Sequence, residues 1–379
     1  MRISLQALTL FDRFVLRTLS FDFKKLNKAA QNRSNHAGTI TMSKSTPPTL
    51  EDVSRLAGVS TATISRALND PNVVAKKTRD KIETAINTLG YTPNSGGRML
   101  ASARSNTVGA IIPTMANAIF ANGLQAFQEA LSDAGVTLLV ASTGYDPKAE
   151  LTQIRNLMAH GAGGLLLIGQ ERPEDSNRFL AIRNIPHVLG WCYGTDPDAV
   201  YVGFDNNAAA YDATLKVLDM GHRRIAMISG ILDGNDRAQA RRDGVHAAIS
   251  QFGKGAELVA SAEAPYVLQG GRDGFDSVQS ARPTAIICGN DVVAAGAMTR
   301  AQEVGLNVPR DVSIIGFDDI GLASAVSPRM STVRVPQEQM GKAAAEVLIA
   351  RMSGGQGGTS VKFPTEFIQR GSLAPPRVD

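Results

Sequence analysis

Between Thr49 and Asn69 apolar residues recur at helical spacing in two short bursts. Leu50, Val53, Leu56 and Ala57 form one stripe, and Val59, Ile64, Ala67 and Leu68 form another. Thr49 and Ser60 stand where each helix needs a side-chain cap for its first free amides. Gly58 falls just past the first stripe, where a left-handed residue lets the chain double back within three or four residues. The pattern predicts two helices joined by a tight turn, followed by a third over Thr78–Leu89 with Ile82, Ala85, Ile86 and Leu89 on one face. From Thr107 onward the period changes. Short apolar runs (VGAII, VTLLVA, GGLLLI, PHVLG) alternate with polar loops and helical stretches, and the scheme restarts with RRIAMIS, ELVAS, TAIICGND and DVSIIGFDD. This is a parallel α/β pattern in two similar halves, so two lobes are expected, with the carboxyl ends of their strands facing a shared cleft.

The first segment has helix-turn-helix geometry, whose second helix enters the major groove of DNA and meets base edges with its first exposed side chains. Those are Thr61, Ala62, Ser65 and Arg66. Arg66 is equipped for bidentate contact with guanine, while Thr61 and Ala62 offer a hydroxyl and an apolar contact for a thymine methyl.

With 379 residues the chain is long enough for two or three units. At 43% apolar residues it can build a sizeable core. The net charge of +4 conceals an asymmetry: Ser43–Ser105 holds nine Lys and Arg against five Asp and Glu, whereas Asn106–Asp379 holds 23 against 28. The basic portion is the one expected to read DNA, and its charge supplies phosphate affinity independent of sequence. Two cysteines, Cys192 and Cys288, argue against a disulfide framework and fit a reducing cytoplasm. No GxGxxG, Walker loop, HExxH or GxSxG is present, and the five histidines lack metal spacing. An enzyme is not expected, nor is a cofactor or metal; Asp318 and Asp319 are the pair that acid/base chemistry would use.

The run from Thr49 to Ser105 contains TLEDVSRLAGVSTATISRALN, KTRDKIETAINTLGYTPN and RMLASARS. It resembles the lactose/galactose repressor family, and the likeness continues through IIPTMANAIF, VGFDNNAAAY, GHRRIAMISG, NDVVAAGAM, DVSIIGFDDI and STVRVP. The resemblance implies a helix-turn-helix module over 43–93, a hinge over 94–105, and a two-lobed domain over 106–379 similar to periplasmic sugar-binding proteins. Lobe one is expected at about 106–205 and 335–365, lobe two at about 206–334 and 366–379. Residues 1–42 are read as an extension, expected to come from an upstream start assigned in error because MSKSTPPTLEDV from Met42 looks like the beginning of many members, with a floppy or weakly amphipathic extension as the alternative.

The implied DNA contacts are Thr49, Ser60, Thr61, Ala62, Thr63, Ser65, Arg66, Asn69, Tyr91, Asn94 and Leu100. Leu100 matches the family's hinge leucine, which wedges into the minor groove. Gly96 and Gly97 depart from the family pattern and weaken a hinge helix. The implied ligand contacts are Thr114, Phe120, Trp191, Arg241, Asn290 and Asp318. Arg241 matches the family arginine that reaches into the cleft, and its guanidinium fork suits vicinal hydroxyls or a carboxylate. Trp191 is expected to stack on a sugar ring or to pack in the core. Arg242, Asp319 and His222 are expected to be structural.

The resemblance therefore implies a dimeric, cytoplasmic transcriptional regulator, most often a repressor in this family. It would bind pseudo-palindromic operator DNA under control of a sugar or a sugar acid such as gluconate, the latter because NAIF, VGFDN and Trp191 look most like the gluconate-repressor branch. The alternative is a sugar-binding protein without a regulatory role, which leaves Thr49–Leu100 unexplained.

Overall fold

The computed structural model describes residues 47–92, 105–354 and 358–377. The expected extension over 1–42 and most of the hinge, including Asn94, Gly96, Gly97 and Leu100, lie outside the described residues. The chain divides after residue 94 into two compact units.

Among the described residues the first unit has three α-helices, α1 (Leu50–Ala57), α2 (Thr61–Asn69) and α3 (Lys76–Leu89), with a 3-10 turn at Pro71–Val73. Thr49 caps α1 in a reciprocal box, its hydroxyl accepting from the Asp52 amide while the Asp52 carboxylate accepts from the Thr49 amide at 2.9 Å. Bonds donated to the carboxylate by the Thr49 amide and hydroxyl hold the Asp52 carboxyl below the usual carboxylate range. Gly58 adopts φ 67°, which turns the chain into α2, and Ser60 caps that helix by accepting from the Thr63 amide. Val53, Ala57, Ile64, Ile82 and Ala85 make the buried core, with Leu50, Val59, Ala67, Leu68, Ile86, Leu89 and Tyr91 packed around it. Leu56, expected on the inner stripe, is instead 53% exposed. Val53 and Ala57 lie one turn apart and face inward. Leu56 is rotated about 100° from Ala57 and overhangs a groove edged by Lys81 and Thr84.

The second unit carries two parallel sheets. Sheet one comprises β1 (Thr107–Ile112), β2 (Thr137–Ser142), β3 (Leu165–Ile168), β4 (His187–Gly190), β5 (Tyr201–Gly203) and, from far along the chain, β11 (Val361–Lys362), in the order β11-β5-β4-β3-β1-β2. Its helices are α4 (Ala118–Asp133), α5 (Pro147–Ala159), α6 (Glu174–Ile182) and the late α12 (Gln337–Met352), which packs on α4. Sheet two has β6 (Arg224–Gly230), β7 (Glu257–Ala264), β8 (Ala285–Cys288) and β9 (Ser313–Ile315), in the order β7-β6-β8-β9. It is flanked by α7 (Asn206–Asp219), α8 (Asp236–Phe252), α9 (Leu268–Val278), α10 (Asp291–Glu303) and the short α11 (Gly321–Ala325). An antiparallel pair, β10 (Thr332–Arg334) with β12 (Glu366–Ile368), lies in the later connections between the lobes.

The central strands β1, β3 and β8 are buried along nearly their whole length, which explains their continuous apolar runs. Edge strand β2 is only partly covered. The chain passes between sheets three times, near 204–206, 316–336 and 363–371. Every paired strand within the two main sheets is parallel, so both sheets present their carboxyl ends to the space between them. Among the described residues no helix is long and apolar enough to cross a membrane.

Candidate nucleic-acid interface and ligand cleft

On the first unit, α2 divides its polar residues between two tasks. Ser60 and Thr63 are joined to each other, hydroxyl to hydroxyl at 2.9 Å, and the Ser60 oxygen also serves the helix cap, so this pair fixes the start of the helix. Ala62, Ser65 and Arg66 are exposed and Thr61 is half-buried. One turn of helix therefore presents a methyl, two hydroxyls and a guanidinium outward. Asn69 closes α2. Tyr91 lies against the small core, with its amide donating to the Ile86 carbonyl at 3.1 Å. Thr49 is committed to its capping box.

On the second unit, a narrow cavity of about 20 Å³ lies between the carboxyl ends of the two sheets. Phe120, Trp191, Arg241, Asn290 and Asp318 all line it. Thr114 does not: its hydroxyl accepts from the Ala116 amide at 3.1 Å and shapes the loop after β1, and Asn117 reaches the cavity in its place. Asn117 also caps α4.

Each lining group is placed by local structure. Asn290 caps α10 through its Oδ1, which accepts from the Val293 amide at 2.9 Å. Its Nδ2 finds no partner in the protein and faces the cavity region. Capping and lining are thus both its roles. Arg241, on the buried side of α8, donates from Nε to Asn206 Oδ1 at 3.1 Å and from Nη1 to the Gly289 carbonyl, and lies 4.4 Å over the Phe317 ring. Its Nη1 is 3.9 Å from Asp318 Oδ1, too far for a hydrogen bond.

Asp318 sits at φ 110° and is 2% exposed. Burial pushes its carboxyl up to about 7 despite the opposing pull of Arg241. Its backbone is held by Val333 and Gln337. Asp291 fixes the same loop, accepting from the Ile320 amide at 2.8 Å and from the Thr332 hydroxyl at 2.5 Å. Burial, followed by the charge of Asp318, raises the Asp291 carboxyl well above its ordinary value.

Trp191 adopts a left-handed backbone (φ 60°) and is 2% exposed, tilted against Phe120 at 6.0 Å. It seats its ring over Gly123, where a Cβ would collide with the indole. It therefore packs in the core and lines the cavity at once. Its Nε1, the Tyr266 hydroxyl, Asn290 Nδ2 and Asp318 Oδ1 are all buried without a partner in the protein. All four residues belong to the cavity wall. Buried polar atoms are normally satisfied, so this concentration marks a surface shaped for a polar ligand.

Sequence reasoning missed Asn117, Tyr145, Arg237 and Tyr266, which also line the cavity. Tyr145 and Tyr266 follow β2 and β7, and meet edge to face at 6.0 Å. Their position after predicted strands was the available signal. Arg237 stands one helical turn before Arg241 in NDRAQARRDG, a spacing that puts both on one face.

The residues expected to be structural are elsewhere. Asp319 is bound by Arg334 at 2.8 Å and Arg370 at 2.6 Å, and is absent from the cavity wall, so it makes no acid/base pair with Asp318 there. Arg242 pairs with Asp243 at 2.7 Å. His222 bridges Thr284 and the Ala374 carbonyl, and burial lowers its pKa. Among the described residues no cluster of His, Cys, Asp and Glu is arranged to hold a metal ion.

Comparison with known proteins agrees with this two-part construction. A family model described as bacterial regulatory proteins, lacI family, matches residues 49–94, and one described as a periplasmic binding protein-like domain matches 214–373. The ribose operon repressor of Haemophilus influenzae is 33% identical over 306 residues, covering 80% of this chain and 92% of that one. The HTH-type transcriptional regulator GntR of Pseudomonas aeruginosa is 34% identical over 312 residues, covering 81% and 90%. Among solved structures, the lac repressor dimer bound to operator and the anti-inducer ONPF superposes with a TM-score of 0.77 at 25% identity, over 87% of this chain and 100% of that one.

Proposed function

The chain belongs to the lacI family of bacterial regulatory proteins, and from that premise we propose that it represses transcription as a homodimer whose hold on operator DNA is set by a small polyhydroxylated ligand in the interlobe cleft. Two copies of α2 would enter successive major grooves of a pseudo-palindromic site, each offering Thr61, Ala62, Ser65 and Arg66 to base edges. Regulation is then a coupling free energy: a ligand changes operator affinity only to the extent that it binds the two lobe arrangements unequally.

The observation that carries the ligand class is the set of unpartnered atoms at Trp191, Tyr266, Asn290 and Asp318. Three can donate and two can accept, a mixture matched by hydroxyls that do both. Phe120 and Trp191 supply the flat apolar wall that a sugar ring packs against. Arg241 and Arg237, the latter already paired with Asp236, bring two guanidiniums to the wall beside the carboxyl of Asp318, which suits a sugar acid as well as a neutral sugar. Since two Arg241 nitrogens are already engaged, Arg237 joins it as a candidate partner for a ligand carboxylate.

The test is capture of genomic fragments by the full chain at two salt concentrations with excess competitor DNA. Retention of one fragment through competition, weakened by salt, is expected of an operator-specific regulator. Sugars binding tightly with no fragment retained would instead make the chain a ligand-binding protein without a regulatory role.

A further inference from the structure

Away from the three chain crossings the lobes meet at the edge-to-face pair of Tyr145 and Tyr266 and at a hydrogen-bonded set around Asp236. The loop after β3 (Gly169–Arg172, lobe one) meets the first turn of α8 (lobe two). Asp236 Oδ2 accepts from the Gln170 amide at 2.9 Å, Arg237 Nη1 donates to the Ile168 carbonyl at 3.3 Å, and Gln239 Nε2 donates to Glu171 at 3.0 Å.

Both halves are pre-set. On lobe one, Arg172 is 3% exposed and grips the loop through the Gly169 and Gln170 carbonyls at 2.9 and 3.3 Å while facing Glu150 at 3.5 Å. On lobe two, Asn235 caps α8 and Gln239 also holds the Leu232 carbonyl at 2.8 Å. Asp236 Oδ1 binds Arg237 at 2.8 Å, so one carboxylate both fastens the loop and aims a cavity-lining guanidinium. Gly169, at φ 83°, makes the approach possible, since any Cβ there would strike Arg237 and Asp236.

We propose that Asp236, Arg237, Gln239 and the Gly169–Glu171 loop form a clasp that fixes the lobe-closure equilibrium, with Asp236 as the positioning residue that couples the clasp to the ligand cavity through Arg237. Contacts at chain crossings persist when lobes swing about them, whereas contacts elsewhere must break, so the clasp, which carries the hydrogen bonds among those contacts, helps set how often the cleft opens. Its regulatory meaning rests on the cleft being the effector site; the clasp's effect on closure does not.

Trp191, the sole tryptophan, reports on it directly because it is buried in the cleft wall. The measurement is acrylamide quenching of Trp191 fluorescence in the full chain without added ligand, for wild type, Asp236→Ala/Gln239→Ala, the wedge variant Gly169→Leu, and Arg300→Ala as a remote surface control. Circular dichroism checks folding. Removing two hydrogen bonds shifts the closed-to-open ratio by about thirty-fold, the equivalent of about 2 kcal/mol. The quenching constant should therefore rise at least about two-fold in both clasp variants and stay at the wild-type value in the control. Wild-type quenching in a folded clasp variant overturns the proposal, and because no ligand or DNA is present it does so without touching the assignment of the cleft.

Discussion

Seven of the eleven side chains expected at DNA lie on or beside the nine residues of α2, whereas the cleft draws on side chains from Asn117 to Asp318. In the reader, the residues that hold the core and those that would reach base edges are different, although Thr49, Ser60 and Thr63 serve as caps beside the expected contacts. Val53, Ile64 and Ile82 hold the module, the Ser60–Thr63 pair starts the helix, and Arg66 stands in solvent. In the cleft the same side chain does both tasks: Asn290 caps a helix while lining the cavity, Arg241 ties two loops, and Trp191 is at once core and wall. Substitutions should therefore separate binding from stability in the reader and confound them in the cleft.

The largest effect is expected at Trp191→Ala. Removing so large a buried ring costs about 3–5 kcal/mol in comparable cores, so ligand binding and the melting temperature should fall together. Calorimetry of the full chain checks this. A second unfolding event at the unchanged position of the small module would sharpen the contrast, and an unperturbed transition would break it.

Next comes Asp318→Asn, where pH gives the sign. The folded carboxyl is raised to about 7, while an unfolded one titrates near ~4, so between those values the folded state holds the extra proton. Wild-type stability from this group thus declines as pH rises from about 4 to about 7 and then levels off. The asparagine variant lacks that decline. Its melting temperature should gain on wild type across this window and keep the gain at pH 8, even as its ligand affinity drops. An equal offset at pH 4 and pH 8 would show that burial of the ionised carboxylate is not the cause.

Arg66→Ala should be the converse case. Loss of a bidentate base contact costs about 1–3 kcal/mol of discrimination, or roughly 5- to 150-fold in operator affinity. The melting temperature and ligand binding should not move. Binding assays against operator and scrambled DNA distinguish this from a phosphate contact, whose loss weakens both alike. The smallest effect is expected at Thr49→Ala, which breaks the α1 capping box for about 1 kcal/mol of module stability. Wild-type thermal stability there would mean that the box contributes little beyond its geometry.

The same contrast explains what the sequence made legible. The reader is local: Thr49, Ser60 and Gly58 announce the ends of α1 and α2 within a dozen residues, and the structure shows those caps and that turn. Leu56 escaped because a stripe four residues wide does not say which of two adjacent apolar residues faces inward. The main strands were legible as apolar runs, but β5, β10, β11 and β12 were not. Each is two or three residues long and is strand only because a distant segment lies beside it. In the cleft, family resemblance located Phe120, Trp191, Arg241, Asn290 and Asp318, all of which the fold brings to one cavity. It did not reveal Tyr145 and Tyr266, which meet across strand-end loops 121 residues apart in sequence. Nor did it reveal the clasp, whose Gly169 has a purpose only once α8 is packed against it.

Ligand-controlled repression requires the cleft and the reader to be coupled. The most direct measurement is the affinity of the full chain for its captured operator fragment, with and without saturating amounts of a ligand whose binding is registered by Trp191 fluorescence. Wild type should show a change of roughly 5- to 150-fold, the usual span of such couplings. Asp318→Asn should keep its operator affinity and lose the response at the same ligand concentration. An operator affinity that stays constant while Trp191 reports full occupancy would contradict coupling and leave two binding activities that merely share a chain.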